Sequence, residues 1–116
     1  MTKTIAYNEE KLVQELPLPY KQVYTLLSHG KENSITSNLI AKRTGLSTTG
    51  VRSIIHDLIT KYGLIIGGCN ERKNQGYYIP VTEREELDAL KNLTSRAYHL
   101  NNRIAALEKS MALRKA

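Results

Sequence analysis

The chain has 116 residues and a mass of 13.1 kDa, the size of one small domain with one further element attached. No apolar run approaches the roughly 20 residues that span a bilayer, which excludes an integral membrane protein, and the first residues contain no apolar signal segment. A single cysteine, Cys69, excludes an internal disulfide and a metal site built from several cysteines. The sequence therefore predicts a cytoplasmic protein that uses no metal or other cofactor.

The charge of the chain is unevenly distributed. Seventeen Lys and Arg against eleven Asp and Glu give a net charge of +6 and a pI near 9.5. Residues 1–30 are balanced, residues 31–80 hold seven basic and three acidic residues, and residues 81–116 hold seven and five. A basic excess fits a polyanionic partner, nucleic acid before anionic lipid. The middle of the chain is the region where we expect such a partner to bind.

Residues 1–16 are polar with scattered apolar positions and are predicted to form an N-terminal extension. Asn8 is a suitable N-cap for a short helix whose apolar residues share one face: Leu12, Val13 and Leu16. Two prolines then interrupt the chain. The helical spacing that follows predicts a helix over 19–29, with Pro19 as its first residue and Gly30 as its stop.

Two more helices are predicted in the middle of the chain, after a polar loop and a short pairing segment at Ile35. Thr36 or Ser37 caps the first of them, which ends at Gly45. Ser47 then caps the second, whose apolar residues recur three and four apart: Val51, Ile54, Ile55, Leu58 and Ile59. The two helices are therefore separated only by a tight turn.

A β-hairpin is predicted to follow. Leu64–Ile66 and Tyr77–Ile79 are short, apolar and rich in residues that favour strands, and they are predicted to pair in antiparallel fashion. Residues 67–76 are mostly polar and glycine-rich and are assigned to a long hairpin tip, with Cys69 as an incidental loop residue. One of the two adjacent tyrosines is expected to pack on the core and the other to face outward.

One long helix completes the chain. Thr82 and Glu85 have the spacing of a capping box, acidic residues fill the first turn, and no Gly or Pro follows. Apolar residues then alternate three and four apart, as in the seam of a coiled coil: Leu90, Leu93, Ala97, Leu100, Ile104, Leu107 and Met111. The predicted fold is mainly α with a small β-hairpin, divided into an extension (1–16), a domain (17–81) and a dimerisation helix (82–116).

Residues Ser37–His56 resemble the helix-turn-helix signature of DNA-binding proteins. Ala41 is small where the two helices cross, and Gly45 suits the left-handed turn between them. Apolar residues stand where the second helix packs on the first: Ile40, Leu46, Val51 and Ile54. With one helix before it and a basic hairpin after it, the segment Pro17–Pro80 resembles the winged helix-turn-helix superfamily. The economy of the chain resembles small DNA-binding proteins encoded by phages, plasmids and integrated elements of bacteria.

This resemblance implies that the polar face of the second helix enters the major groove of DNA. Arg52 is the best candidate for reading a base, because its guanidinium can bind guanine O6 and N7 together. The hairpin tip would follow phosphates or enter the minor groove. The residues assigned to DNA binding are Lys42, Arg43, Ser47, Thr48, Thr49, Arg52, Ser53 and His56, with Arg72, Lys73 and Asn74 at the hairpin tip.

The seam of the last helix has two interpretations, a coiled coil with a second copy or packing on its own domain. About 30 residues at ~1.5 Å each give ~45 Å, longer than a small domain is wide. In a parallel pairing Arg103 would face Glu108 of the other copy, an attractive contact, and an antiparallel pairing stays open. We predict a homodimer and allow that this helix binds another protein.

No motif of enzymatic chemistry is present. The three histidines are far apart, Cys69 has no recognisable partner, and no phosphate-binding loop occurs. We expect a non-enzymatic protein that binds double-stranded DNA sequence-specifically, as a small transcriptional regulator or a replication accessory. The alternative is a winged domain that contacts other proteins, as an assembly factor or inhibitor, without direct DNA binding. Steep salt dependence of duplex binding distinguishes the first from the second.

Overall fold

The computed structural model describes residues 9–115, which form a mainly helical protein with a small antiparallel hairpin and a long C-terminal helix. These residues extend over 58 × 36 × 29 Å. The elements in chain order are α1 (Glu9–Gln14), α2 (Leu18–Leu26), a 3-10 turn (Lys31–Asn33), α3 (Ser37–Thr44), α4 (Thr48–Thr60), β1 (Gly67–Asn70), β2 (Gln75–Tyr78) and α5 (Glu83–Lys115).

The turn between α3 and α4 forms as predicted. Thr36 is the N-cap of α3, and its hydroxyl oxygen accepts the Leu39 N–H at 3.2 Å. Gly45 ends α3 with φ of +82°, a conformation that glycine adopts without steric cost. Ser47 caps α4 by accepting the Gly50 N–H at 2.9 Å. The helix-turn-helix pair is thus fixed by three local signals.

The start of α2 was predicted to within one residue, but its predicted end was wrong. The helix begins at Leu18, one residue before the proline expected to open it, and ends at Leu26. Gly30 is not its stop, because the backbone after α2 is extended and pairs with Ile79. The Ile79 N–H donates to the Ser28 carbonyl, and the Gly30 N–H donates to the Ile79 carbonyl, both at 2.9 Å. The predicted polar loop that follows contains a 3-10 turn.

The N-terminal prediction holds in part. A short helix, α1, is present, with Leu12 and Val13 half-buried against the core. Leu16 lies beyond the end of α1 and is buried in the core. Asn8, the predicted cap, lies outside the described residues.

The hairpin is shifted from its predicted position. The first strand is Gly67–Asn70 rather than 64–66, and the second is Gln75–Tyr78 rather than 77–79. The tip between them is therefore shorter than predicted. Leu64 is buried in the core but lies outside the strand. The pairing register explains the shift. Tyr78 needs a glycine opposite its ring, because a Cβ there would overlap the ring, and Gly67 is the residue that stands opposite.

A short segment pairs with the free edge of β2, as predicted for Ile35. The Ile35 N–H donates to the Tyr77 carbonyl at 2.9 Å, and the Tyr77 N–H donates back at 2.8 Å. This pairing connects the hairpin to the segment that leads into α3. Gly76, beside it, has φ of +114°, and a Cβ there would overlap the Ile35 carbonyl oxygen. Only glycine fits at this position without displacing backbone.

One hydrophobic core joins α2, α3 and α4. Side chains from all three helices are completely buried: Val23, Ile40, Val51 and Leu58. Partly buried residues of α1 and the hairpin, Tyr77 among them, pack against its edges. The spacing of apolar residues three and four positions apart in the sequence correctly predicted that these residues lie on the buried face of each helix.

The other face of the hairpin is covered by α5. Tyr78 is completely buried and its hydroxyl donates to the Glu85 carbonyl at 3.3 Å. Cys69 is a buried residue of β1, not the loop residue that was predicted. The expectation that one adjacent tyrosine faces outward was also wrong, because Tyr77 is half-buried against the core. The start of α5 therefore covers the hairpin face that carries Tyr78, while Tyr77 packs against the core.

Glu85 connects the start of α5 to the rest of the domain. Its N–H donates to the Thr82 hydroxyl at 3.1 Å, the first half of the predicted capping box. Its carboxylate accepts the N–H groups of Val81 and Lys31, each at 3.0 Å, rather than the Thr82 N–H of a complete box. These hydrogen bonds, from Lys31 first and Val81 second, lower the pKa of the Glu85 carboxyl.

Glu85→Gln is expected to lower the thermal unfolding midpoint by a few degrees at pH 7 and to lower it less at pH 3. The folded protein lowers the pKa of Glu85, so its contribution is present above the unfolded value, about 4.3, and disappears as pH falls through the folded value. Circular dichroism melts at both pH values measure this. Glu83→Gln, in the same helical turn, is the control. Equal losses for both variants at pH 7 would contradict the role of Glu85.

Most of α5 extends away from the domain. Every residue from Leu93 to Lys115 is exposed. The large apolar residues of the predicted seam are each between 51% and 63% exposed: Leu90, Leu93, Leu100, Ile104, Leu107 and Met111. The domain instead contacts a neighbouring face of α5, where Ala89 is buried and Asn92 is half-buried. The seam is therefore not covered by its own domain.

Candidate nucleic-acid interface

The exposed face of α4 is polar and uncharged at its centre. Thr49, Ser53 and His56 are exposed and, at 100° per residue, lie within about 60° of one another around the helix. The opposite face carries the buried Val51 and Ile55. Because the buried face packs α4 firmly on the core, these three polar side chains project together from a rigid helix.

The start of α4 is less accessible than the sequence indicated. Ser47 uses its hydroxyl oxygen to cap the helix, and Thr48 is half-buried. Gly50 is part of the same cap, since a Cβ there would lie 3.1 Å from the Ser47 hydroxyl oxygen. This contact gives a structural reason for a glycine inside a helix, where it costs about 1 kcal/mol relative to alanine.

Arg52 lies on the flank of α4 rather than at the centre of its exposed face. It is about 60° from Thr49, 40° from His56 and 100° from Ser53 around the helix, and it lines a groove of about 540 Å³. The first turn of α3, both strands of the hairpin and the start of α5 form the other walls. Arg96 of α5 lines the same groove. None of the residues that line it is acidic, so the groove is an electropositive, polar concavity.

The remaining basic candidates lie at two edges of this surface. Lys42 and Arg43 are exposed in the last turn of α3, and Arg72 and Lys73 are exposed at the hairpin tip. Asn74 is half-buried, and its carbonyl accepts the Glu71 N–H at 2.9 Å, which closes the tip. The structure thus places the predicted tip residues at the end of a short, well-defined turn.

The tip is also tied to the domain by an ion pair that the sequence did not predict. The Lys31 ammonium lies 2.6 Å from a Glu71 oxygen and 3.7 Å from an Asp88 oxygen of α5. The hydrogen bond with Glu71 is the main cause that raises the pKa of Lys31. Three separate segments meet at this lysine, so the orientation of the hairpin is linked to that of α5.

A second unpredicted contact fixes α4 against α2. The Tyr20 hydroxyl donates to an Asp57 carboxylate oxygen at 2.5 Å. This hydrogen bond lowers the pKa of Asp57 and raises that of Tyr20. No local pattern could have indicated the pair, because the two residues are separated by 37 positions.

No family model matches the chain, and neither does any curated protein or solved structure. Within residues 9–115, no group of three or more His, Cys, Asp or Glu is arranged to hold a metal ion. Over the same residues, no helix combines the length and apolar character needed to cross a membrane. The candidate functional surface is formed by α4, the groove beside it and the hairpin tip.

Proposed function

We propose that the protein binds double-stranded DNA as a homodimer, with α4 in the major groove and the hairpin acting as the wing of a winged helix-turn-helix domain. The observation that carries this proposal is the exposed polar face of α4, held on a helix-turn-helix pair and flanked by a hairpin with a basic tip. An α-helix fits the width of the major groove, and its exposed side chains then reach base edges.

The side chains divide into two groups by position. Thr49, Ser53 and His56, at the centre of the face, are assigned to base edges, since hydroxyls and imidazole nitrogens both donate and accept hydrogen bonds. The basic residues at the periphery are assigned to phosphates, which position the helix without reading sequence: Lys42, Arg43, Arg72 and Lys73. This division supports sequence-specific binding, as in a transcriptional regulator or a replication accessory of a phage, plasmid or bacterium.

The exposed seam of α5 supports the homodimer. A contiguous apolar stripe on a soluble protein marks an interaction surface. The charges beside the stripe favour a parallel pair, because Arg103 then faces Glu108 of the second copy. In an antiparallel pair, the flanking positions of Arg96 and Arg103 would face arginines of the second copy, and these like charges would repel one another. Parallel helices also place both domains at the same end, where they can bind two half-sites of one duplex.

The exposed stripe also supports a second candidate, in which α5 binds a different protein and the winged domain serves protein contact. That partner would need an amphipathic helix complementary to the same seam. The electropositive groove and basic tip favour DNA over this alternative, because a protein partner does not require an acid-free surface. A protein complex that forms without duplex affinity would favour the alternative.

The affinity for a duplex selected from a random pool is expected to fall steeply with salt concentration. Replacing Arg72 and Lys73 together with alanine should make the slope of log affinity against log salt shallower, by the contribution of up to about two phosphate contacts. Both tip residues are exposed and would contact phosphates, so the loss should be equal for selected and random duplexes. Fluorescence anisotropy over a range of salt concentrations measures it.

The control is Lys109→Ala with Lys115→Ala, which removes the same charge from the far end of α5. An unaltered slope in the tip variant would mean that the tip makes no phosphate contact. Lack of salt-dependent duplex binding by the unaltered protein would contradict the proposed function as a whole.

A further inference from the structure

We infer that Arg52 and Arg96 together hold one backbone phosphate of the bound duplex in the groove between α4, the hairpin and α5. This inference deepens the proposed function and rests on it. It gives α5 a direct part in DNA binding, and it assigns Arg52 to a phosphate where the sequence alone favoured a base.

The groove has the chemistry of a phosphate site. Its lining includes two arginines from different helices, several amide side chains and no carboxylate. The acidic residues near this region, Glu71 and Asp88, line the neighbouring cavity beside Lys31, which shares Asn92 and Arg96 with the groove. Both carboxylates lie near the Lys31 ammonium, at 2.6 and 3.7 Å. Arginine presents a rigid fork of N–H donors that matches phosphate oxygens. A phosphodiester has two unesterified oxygens, so one such group can accept hydrogen bonds from two guanidinium groups.

Arg96 is connected to the hairpin through Asn92. Its Nη1 donates to the Asn92 Oδ1 at 3.3 Å, one helical turn earlier. Asn92 in turn lies against the hairpin, because a Cβ built on Gly68 would be 3.9 Å from that same oxygen. The burial of Tyr78 and Ala89 fixes this part of α5 on the hairpin. Arg96 therefore lies one helical turn after the last residue of α5 that contacts the hairpin in this way, Asn92, and is hydrogen-bonded to it.

The docking geometry brings a DNA strand to this groove. Each sugar-phosphate strand separates the major groove from the minor groove beside it. A domain with α4 in the major groove and its hairpin at the adjacent minor groove must therefore straddle one strand. The concavity between α4 and the hairpin is where that strand passes, and Arg52 is on the flank of α4 that faces it. A phosphate contact follows for Arg52 from its position on the helix.

The test compares Arg52→Ala, Arg96→Ala and the double variant, with Arg84→Ala as the control. Arg84 is an exposed arginine of α5 that does not line the groove. Affinities for a selected duplex and for a random duplex are measured by anisotropy over 0.1–1 M salt. The double variant is expected to lose about 0.9 from the salt slope, one phosphate, which amounts to about eightfold in affinity over that tenfold range of salt. The loss should be the same for both duplexes.

Each single variant should show part of this decrease in the salt slope. The two decreases should not sum to more than the contribution of one phosphate, because both residues contact the same group. Sedimentation and circular dichroism of every variant verify that mass and helical content are unaltered. A slope for Arg96→Ala equal to that of Arg84→Ala would overturn the inference. So would a loss in Arg52→Ala confined to the selected duplex, which is the signature of base reading. If the unaltered protein binds no duplex, the proposed function fails, and the inference fails with it.

Discussion

Replacing Leu100 and Ile104 together with lysine is expected to give a monomer whose affinity for a two-site duplex is about 100-fold lower or more. Both side chains lie in the exposed seam of α5, at 53% and 54% exposure. Four lysines in one paired seam would repel one another, and burying an unpaired charge costs several kcal/mol. In a dimer, binding of one domain to its half-site holds the second domain close to the other half-site, which raises the overall affinity. A monomer lacks this advantage.

The domain formed by α2, α3 and α4 should remain folded in this variant, because its core contains neither residue. Sedimentation equilibrium should report half of the original mass, with part of the helical signal lost because three heptads alone form a marginal helix. Tyr98→Lys with Leu113→Lys is the matched control, since both side chains are exposed on α5 but lie off the seam. If the seam variant still sediments as a dimer, the main interface lies elsewhere.

The orientation of the two helices can be measured in the same system. Leu107→Cys in a Cys69→Ala background places one thiol per chain in the seam. Parallel helices bring the two introduced thiols together, so mild oxidation should give a disulfide-linked dimer in high yield. An antiparallel pair would keep them apart while the protein still sedimented as a dimer.

The second large effect is expected at Gly76. Gly76→Ala should destabilise the protein by about 3–5 kcal/mol, a large fraction of the stability of a small domain. The backbone there has φ of +114°, and a Cβ would overlap the carbonyl oxygen of Ile35. Relief requires the separation of Ile35 from Tyr77 and the loss of the two hydrogen bonds between them. Urea denaturation followed by circular dichroism measures the change.

Gly45→Ala separates the steric effect from the backbone effect. Gly45 has φ of +82° but nothing within 4 Å of the position of its missing Cβ. Its substitution should therefore cost only about 1–2 kcal/mol, the strain of a left-handed alanine. Similar losses at the two glycines would show that the contact with Ile35 relaxes easily and would contradict the stronger prediction.

Local sequence signals were sufficient for the helix-turn-helix pair. Ser47 was predicted as the cap of α4 from residue type and position, and the structure confirms it. The cap of α3 was narrowed to Thr36 or Ser37, and the structure shows that it is Thr36. Gly45 was predicted to end α3 for the same reason. Each of these depends on backbone groups at most four residues away, so no distant contact can easily alter them. The seam of α5 is equally local, because a period of three and four residues specifies one face of a helix.

The tertiary structure decided what depends on residues far apart in the chain. The end of α2 at Leu26 follows from the backbone pairing with Ile79, about fifty residues later. The strand register follows from the position of the Tyr78 ring. This ring leaves no room for a side chain on the opposite residue, Gly67, and it is buried under α5, where its hydroxyl donates to the Glu85 carbonyl. The meeting of Arg52 and Arg96 in one groove likewise depends on how α5 packs on the hairpin. Sequence periodicity assigns a residue to a face, but only packing decides which surfaces that face adjoins.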